Sequence, residues 1–345
     1  MKKNREYTYI DLFTGAGGLY RGCKDAGMKH LLSVELWKPA IETLKHNYPD
    51  INLYEGDIRD LQGEELMSLL NGKECDLICG GPPCQGFSTI GKRLQKDPRN
   101  ELVFEFIRIV KEVKPKFFIM ENVKGLLSSN NGIMRELILE EFEDIGYSRA
   151  ISKVISADDY GVPQKRQRVF FFGVRDDIKL KHNLEFPHPI EEKTTVGDAI
   201  MDLMGKENLI PNHVPMNHNV TVVNRIKCIP EGGGIPSEGL PEDVAYGSRS
   251  DYKNNKLKNF SHVYKRLDRN KPATTMVPGH NAFPLHPVAD RSLTVREAAR
   301  IQTFPDDVVF CGNRQEQCIQ VGNAVPVKLA KVLANNVIEY LKKDC

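Results

Sequence analysis

A cysteine in a proline-containing loop is the residue best suited to covalent chemistry in this sequence. Cys84 lies in Gly-Gly-Pro-Pro-Cys-Gln-Gly-Phe-Ser, residues 80–88, directly after an apolar run at 76–79. The prolines stiffen the approach to the thiol and the glycines allow tight turns, which predicts a sulfur held at the carboxyl end of a buried strand. A free thiol has a pKa of about 8.5, so neighbouring cations or main-chain amides must favour the thiolate. We therefore predict that Cys84 is a nucleophile, whereas Cys75 and Cys79 are buried packing residues.

A carboxyl group and two arginines occur where later strands are predicted. Glu121 follows the apolar run 117–120, and Arg166 and Arg168 lead into a strand candidate at 169–174. A carboxyl group in a dry pocket tends to have a raised pKa and can donate a proton. Arginines two residues apart on a strand can project to the same side and hold a carbonyl-bearing or anionic substrate. Together with the cysteine, these three residues form the candidate catalytic set.

A glycine-containing turn and two acids predict a nucleoside-binding edge. The turn is Asp-Leu-Phe-Thr-Gly-Ala-Gly-Gly-Leu, residues 11–19, and Glu35 and Asp57 end the second and third strand candidates. Carboxylates at such positions can bind ribose hydroxyls, and open α/β sheets bind ligands at the carboxyl ends of their strands. A dinucleotide fingerprint would need glycine at position 20, where Tyr20 stands, which argues against an NAD-dependent oxidoreductase. Acids without a phosphate-binding turn suit S-adenosylmethionine.

Alternating apolar runs and amphipathic stretches predict the scaffold that positions these residues. Strands are expected at 9–13, 31–36, 76–79, 117–120 and 169–174, and helices at 39–47, 64–70, 101–113, 133–145, 295–302 and 327–341. This order indicates an α/β fold with a doubly wound, mostly parallel sheet. We expect a first domain at 1–180, a smaller irregular domain at 181–290, and a C-terminal segment at 291–345 that returns to the first domain.

The composition excludes several classes of protein. Hydrophobic residues make up 40% of the 345 and no apolar run reaches about 18 residues, which argues against a transmembrane helix. The N-terminal stretch lacks a signal-peptide pattern, so a cytoplasmic protein is expected. The eight cysteines form no Cys-x-x-Cys pair, so no metal is expected. Because the net charge is only +2, any nucleic-acid contact must come from a local basic patch.

These motifs together resemble the DNA (cytosine-5) methyltransferase family of the bacterial and phage type. Pro-Pro-Cys84-Gln, Glu121-Asn-Val and Gln-x-Arg166-x-Arg168 occur in the family's order and spacing. The segments 291–305 and 320–326 are similar to its two closing motifs, and the match extends from position 11 to position 337. The resemblance implies transfer of a methyl group from S-adenosylmethionine to carbon 5 of a flipped cytosine in a specific duplex DNA sequence.

The resemblance also implies a role for each residue. Cys84 would add to carbon 6 of the base, Glu121 would protonate or hydrogen-bond N3, Arg168 would hold O2, and Arg166 would support the loop. Glu35 would bind the ribose of the cofactor, and Asp57 and Ile58 the adenine. The remaining cofactor contacts would be Phe13, Gly15, Gly17, Gly18, Leu19, Leu36, Pro83, Leu102, Asn323, Ala324 and Val325. Some family members have an aromatic residue where Leu36 stands; here the aromatic residue, Trp37, comes one position later.

The irregular domain would recognise the DNA target. Residues 249–271 carry eight basic side chains against two acids, with three aromatic residues among them, which suits phosphate contacts and base-edge readout. Loop 88–100 would close over a base extruded from the duplex. The expected partners are double-stranded DNA and a cognate restriction endonuclease, with the enzyme acting as a monomer. Two alternatives are an RNA (tRNA) cytosine-5 methyltransferase, disfavoured because the Cys-Phe-Thr signature of the RNA-directed branch is absent, and a catalytically inactive DNA-binding relative, disfavoured by the intact catalytic set.

Overall fold

The chain folds into two compact units, each built from more than one segment of the sequence. The computed structural model describes residues 5–83, 101–127, 133–236, 244, 264–277 and 283–344. The first unit comprises Met1–Ser156, Gln167–Ile190 and Ala324–Cys345, and the second comprises Ala157–Arg166 and Glu191–Asn323. The C-terminal segment predicted to return to the first domain thus contributes 324–345 to the first unit and 291–323 to the second. Which unit recognises DNA remains a prediction.

The first unit contains a seven-stranded, mostly parallel sheet, which confirms the predicted α/β fold. Its strands are β1 (Thr8–Leu12), β2 (Lys29–Glu35), β3 (Leu53–Glu55), β4 (Leu77–Gly80), β5 (Phe117–Val123), β6 (Ile151–Ser156) and β8 (Gln167–Val174). The strand order is β3-β2-β1-β4-β5-β8-β6, with β1 to β5 parallel and β8 antiparallel to both of its neighbours. Parallel neighbours end at the same edge, so the segments after β1, β2, β3, β4 and β5 share one edge of the sheet.

Helices cover the faces of this sheet. They are α1 (Gly18–Asp25), α2 (Lys38–Asn47), α3 (Gly63–Leu70), α4 (Glu101–Val113), α5 (Ile133–Asp144) and, near the C-terminus, α10 (Val327–Asp344). In α4 the apolar residues recur at helical spacing, and Val103, Phe106, Ile107 and Val110 are buried in the core. The core face of α4 therefore packs in the same hydrophobic cluster as Ile78 of β4 and Phe118 of β5. Within the described residues, no helix has both the length and the apolar composition needed to cross a membrane.

In the second unit, buried arginines hold the loops between the helices and strands. It contains α6 (Val196–Ile200), α7 (Val220–Lys227), α8 (Val295–Ile301), α9 (Arg314–Asn323) and a short parallel pair, β7 (Gln164–Lys165) with β9 (Ala273–Thr274). The fully buried Arg296 donates to the carbonyl oxygens of Pro211, Pro305 and Val308 at 2.5–3.0 Å. Loop carbonyls that no helix or strand would satisfy thus obtain partners from one guanidinium.

Part of the predicted basic patch has the same structural role. Arg266 is 4% exposed and donates to four backbone carbonyls and to Asp290, so it cannot contact phosphates and the prediction is wrong for this residue. Arg269 and Lys271 form ion pairs with Glu231 and Asp268. The other members of the patch described by the structure, Lys265 and Tyr264, also bond within the unit. Positions 249–263 lie outside the described residues.

The second unit contains a fully buried histidine whose pKa is lowered. His286 is fully buried, and its Nδ1 accepts hydrogen bonds from the backbone N–H groups of Val288 and Ala289 at 3.2 and 3.0 Å. Its Nε2 lies 3.7 Å from the carboxylate of Glu297. Burial lowers the pKa of His286 to about 4, with Arg291 and Arg266 lowering it further and Glu297 opposing them. Protonation at Nδ1 would break both backbone hydrogen bonds.

We expect stability to fall as the pH drops from 6.5 towards 4. In that range unfolded His286 binds a proton and folded His286 does not, so acid favours the unfolded state by up to roughly 3 kcal/mol. In His286→Asn the side-chain oxygen can replace Nδ1 as acceptor and cannot titrate. Urea unfolding at pH 7 and pH 5 should therefore show a smaller loss of stability in the variant. An equal loss in both proteins would contradict the assignment.

Candidate active site and cofactor pocket

Glu121 and Arg168 form an ion pair at the carboxyl end of β5. In the β5–β8 ladder Glu121 lies opposite Phe170, and Arg168 lies opposite Val123. Residues 168 and 170 face the same side of β8, so the two charged side chains are diagonal neighbours on one face. The Arg168 Nε lies 3.1 Å from the Glu121 Oε1, with side-chain exposures of 16% and 11%. A carboxyl group and a guanidinium are thus held together in a largely buried position.

The approach to the cysteine loop is bonded to the same strand end. The Nδ2 of Asn122 donates to the carbonyl oxygen of Pro82 at 3.2 Å. A Cβ on Gly81 would lie 3.2 Å from the Glu121 Oε2, so the absence of a side chain there makes room for the carboxylate. Pro82 is buried and Pro83 is exposed. Cys84, the predicted nucleophile, lies outside the described residues.

Arg166 belongs to the second unit and makes contacts of another kind. It is 2% exposed, and its guanidinium donates to the carbonyl oxygens of Gly322 at 2.9 Å and Asn323 at 3.2 Å. These are the last carbonyls of α9, where a cation also complements the helix dipole. Within the second unit, Arg166 therefore holds its own segment to α9, and its predicted support of the catalytic loop stays a prediction.

Backbone N–H groups of the glycine turn after β1 already donate to acceptors within the protein. Glu35 Oε2 accepts from the N–H of Gly15 at 2.6 Å, and its Oε1 accepts from those of Leu36 and Trp37 at 2.9 and 2.7 Å. Burial raises the pKa of Glu35, and these three donors oppose the rise. The N–H of Gly17 bonds to the carbonyl of Thr14. With these amides occupied, the turn does not resemble a phosphate cradle.

A buried acid lies at the strand end that precedes this turn. Asp11 is completely buried at the end of β1, and the nearby backbone N–H of Tyr20, in the first turn of α1, lowers its pKa. Its Oδ1 lies 3.8 Å from the Sγ of Cys79. Burial raises the pKa of Asp11 well above its ordinary range, and the carboxylate of Glu35 raises it further. Cys75 and Cys79 are buried as predicted.

The start of α1 packs directly on the segment before α10. A Cβ on Gly18 would lie 2.2 Å from the carbonyl oxygen of Val325, a distance that no side chain can accept without backbone movement. Glycine at this position therefore brings Val325 against the turn. Closure of the predicted pocket by the C-terminal segment stays a prediction.

We expect Gly18→Ala to destabilise the protein by about 1–3 kcal/mol, because the added methyl overpacks a backbone contact. Movement of the Val325 backbone away from the added methyl group should also weaken binding of S-adenosylhomocysteine. Gly125→Ala is the matched control, since a Cβ there meets nothing within 4 Å. Urea unfolding and calorimetric titration would measure both effects. A Gly18→Ala protein as stable as the control would refute the packing argument.

The other predicted cofactor residues differ in exposure. The side chains of Leu19 and Ile58 are 7% and 3% exposed, so these residues can reach a ligand mainly through their backbone. Leu36 is 62% exposed, so its side chain is available to a ligand beside the buried carboxylate of Glu35. Phe13 has a φ of 59°. Phe13, Leu102 and Ala324 are partly buried, and Asn323, in the second unit, is exposed.

Asp57 is paired with an arginine two positions later. Both of its carboxylate oxygens accept from Arg59, with Nη2 at 2.5 Å and Nε at 3.0 Å, and the backbone N–H of Arg59 donates to Oδ1 at 3.0 Å. The hydrogen-bonded Arg59 guanidinium lowers the pKa of Asp57. Asp57 is thus an ionised acceptor, whereas Asp11 and Glu35 have raised pKa values.

Sequence reasoning missed three residues at this edge. Asn122 belongs to the Glu121-Asn-Val motif, and an amide next to a strand-ending acid is a usable signal for a residue that bonds to the neighbouring loop. Arg59 stands two positions after a turn acid, a spacing that also could have been noticed. Arg108, which bonds to the 57–61 turn, left no signal because a polar residue on an amphipathic helix is expected to face solvent.

The residues present fit S-adenosylmethionine. Ionised Asp57 can accept from an exocyclic amine, Glu35 can accept from ribose hydroxyls, and exposed Leu36 offers an apolar surface for a base. The occupied amides of the glycine turn disfavour a dinucleotide with its pyrophosphate. This donor set suits a nucleoside with a cationic, phosphate-free tail.

Comparison with known proteins identifies the family. The model of the C-5 cytosine-specific DNA methylase family matches residues 7–339. The chain is 40% identical over 340 residues to the Type II methyltransferase M1.HphI of Haemophilus parahaemolyticus, covering 96% of this chain and 87% of the relative. It is 37% identical to M.DdeI of Desulfomicrobium norvegicum, covering 96% and 89%.

A solved structure supports the same assignment. A crystal structure described as a DNA modification methyltransferase encoded within an E. coli prophage superposes with a TM-score of 0.72 at 28% identity. That match covers 98% of this chain and 100% of the other. The predicted family and fold are therefore confirmed, and this chain belongs to the C-5 cytosine-specific DNA methylase family.

Proposed function

We propose that this enzyme transfers a methyl group from S-adenosylmethionine to carbon 5 of a cytosine extruded from duplex DNA. The observation that carries the proposal is the Glu121–Arg168 ion pair, bonded to the approach of the cysteine loop at the carboxyl edge of the sheet. A carboxyl group and a guanidinium fixed side by side match the N3 and O2 edge of cytosine. S-adenosylmethionine supplies an electrophilic methyl group when bound.

The chemistry that we assign to the chain is covalent. Cys84 thiolate adds to carbon 6, and the electron pair of the C5–C6 bond becomes available at carbon 5. Glu121 protonates or hydrogen-bonds N3 and so favours this addition, while Arg168 holds O2. After methyl transfer, carbon 5 loses its proton to a base, the C5–C6 double bond reforms, and the thiolate leaves.

The edge after β1, β2 and β3 would hold the cofactor. Glu35 would bind the ribose and Asp57 the adenine amine, with the Ile58 backbone beside it. The glycine turn and Val325 would enclose the remainder. Arg166 would act indirectly, by holding its segment to α9. These assignments combine the contacts of the described residues with the family resemblance.

The names of the relatives support a role in restriction and modification. Both relatives above are called Type II methyltransferases. We propose that double-stranded DNA is the substrate, that a cognate endonuclease is a partner, and that the enzyme acts as a cytoplasmic monomer. Residues 88–100 and the basic residues at 249–258, all outside the described residues, would contact the DNA. Extruding the base would cost a few kcal/mol, which contacts to the flipped cytosine must offset.

A methylation map tests the proposal. The protein would be incubated with S-adenosylmethionine and either plasmid DNA or tRNA, and 5-methylcytosine would be located by bisulfite sequencing. We expect modification at one short recurring sequence in the DNA and none in the tRNA. Modified tRNA with unmodified DNA would favour the RNA-directed alternative. DNA binding without modification of either substrate would favour an inactive relative.

A further inference from the structure

A short turn after β3 carries the residues proposed to bind adenine, and α4 holds it from one side. Residues 57–61 begin with Asp57 and Ile58 and end before α3. A turn without a regular hydrogen-bond ladder depends on side chains for its shape. Two arginines provide these bonds, one in the turn and one in α4.

Arg108 holds the backbone of the turn. Its Nη2 donates to the carbonyl oxygens of Ile58 at 2.8 Å and Leu61 at 3.0 Å. Glu105 and Glu112 in turn accept from its Nε and Nη1 at 2.7 and 2.8 Å. The Arg108 side chain is 23% exposed and both glutamate side chains are partly buried. Each of the three guanidinium nitrogens of Arg108 thus donates at least one hydrogen bond, which fixes the turn relative to α4.

The same helix also holds the turn at two other points. The Oε2 of Glu112 accepts from the backbone N–H of Gly63 at 3.2 Å. The Nη1 of Arg59 lies 3.3 Å from Glu101, the first residue of α4, while its Nη2 and Nε hold the carboxylate of Asp57. A chain of ion pairs thus runs from α4 through Arg59 to Asp57.

We propose that Arg108 and Arg59 are positioning residues for recognition of the adenine end of the cofactor. Arg108 fixes the position of the Ile58 backbone, and Arg59 fixes the orientation of the Asp57 carboxylate. The inference rests on the proposed cofactor site and adds to it the residues that determine its preference for adenine. A displacement of either group by about 1 Å would lengthen hydrogen bonds to the base beyond their effective range.

The chain offers a matched control at the opposite edge of the sheet. Arg149 donates from one Nη2 to the carbonyl oxygens of Arg175 and Ile178, both at 2.8 Å, and lies 3.9 Å from the carboxylate of Asp176. Val174, the last residue of β8, pairs with Phe117, the first residue of β5. The loop 175–178 after β8 therefore lies at the edge of the sheet where the parallel strands begin, opposite the edge where they end. Arg149→Met therefore removes the same kind of clamp from a loop remote from the proposed site.

Calorimetric titration with S-adenosylhomocysteine, and with its analogue carrying hypoxanthine in place of adenine, tests the proposal. The analogue lacks the exocyclic amine, so the ratio of the two Kd values measures recognition of that group. We expect Arg108→Met and Arg59→Ala each to raise the Kd for S-adenosylhomocysteine about tenfold, on the scale of charge-assisted hydrogen bonds. The Kd ratio should fall towards one. Arg149→Met should lower the Tm and leave both Kd values unchanged.

The titrations distinguish a failure of the proposed role of Arg108 and Arg59 from a failure of the proposed cofactor site itself. If Asp57→Ala loses affinity while Arg108→Met and Arg59→Ala keep the wild-type Kd and Kd ratio, the arginines do not position the adenine site. If the wild type fails to bind S-adenosylhomocysteine, or Asp57→Ala binds as tightly as the wild type, the proposed cofactor site is wrong and the inference is overturned with it. An equal rise of both Kd values, with the ratio unchanged, would show a general structural effect and would also overturn it.

Discussion

Cys84→Ala should reduce methyl transfer to below about one-thousandth of the wild-type rate, because alanine cannot supply the nucleophile for carbon 6. The reason is chemical: carbon 5 of cytosine is a poor nucleophile until a thiolate adds to its neighbour. Tritium transfer from labelled S-adenosylmethionine to duplex DNA measures the effect.

The control is another thiol that the mechanism does not use. Cys228 is partly buried in the second unit, and its Sγ donates to the carbonyl oxygen of Asn224. Cys228→Ala should keep the wild-type rate. Binding of S-adenosylhomocysteine should be unchanged in both variants, since neither thiol belongs to the proposed cofactor site. Methyl transfer by Cys84→Ala at a rate comparable to wild type would refute the covalent route.

Glu121→Gln should lower kcat by about 10²–10⁴-fold, the usual contribution of a positioned general acid. Glutamine keeps the size of the side chain but cannot transfer a proton to N3, and it leaves Arg168 without its carboxylate at 3.1 Å. Single-turnover kinetics on duplex DNA would separate this loss from any change in binding.

A carboxylate in the second unit provides the comparison. Glu207 accepts from Arg291 at 3.1 Å and is also partly buried. Glu207→Gln removes an ion pair of the same kind and should leave kcat unchanged. If Glu121→Gln reacts within about threefold of the wild type, Glu121 is not the acid of this reaction. A loss matched by Glu207→Gln would point to stability instead.

The carboxyl edge of the sheet could be predicted from the sequence because the patterns that mark it are local in the chain. Apolar runs ending in an acid or a glycine turn predicted β1, β2, β4 and β5, and crossover connections require such strands to be parallel. The neighbouring positions of β4 and β5 followed from this topology, and their parallel pairing confirms it. The predicted proximity of Cys84 to Glu121 stays a prediction. Strand β6 was missed because Ser152 and Lys153 interrupt its apolar pattern, as expected of a partly exposed edge strand.

Contacts that depend on register could not be predicted in this way. The Glu121–Arg168 pair exists because β8 runs antiparallel to β5 with position 168 diagonal to position 121. No periodicity in the sequence specifies that direction. The basic charge of segment 249–271 predicted phosphate contacts for Arg266, which was wrong. Arg266 instead donates to buried backbone carbonyls. Side-chain composition does not distinguish an arginine that binds loops from one that binds DNA.

The most direct test of the account uses duplex DNA with 5-fluorocytosine at the methylated position. Fluorine cannot leave carbon 5 as a proton does, so the protein–DNA bond should persist after methyl transfer. With S-adenosylmethionine present, we predict a denaturation-resistant complex whose DNA is attached to the peptide containing Cys84, and none with Cys84→Ala. Attachment to a different residue, or no stable complex from a protein that methylates ordinary cytosine, would contradict covalent catalysis by this cysteine.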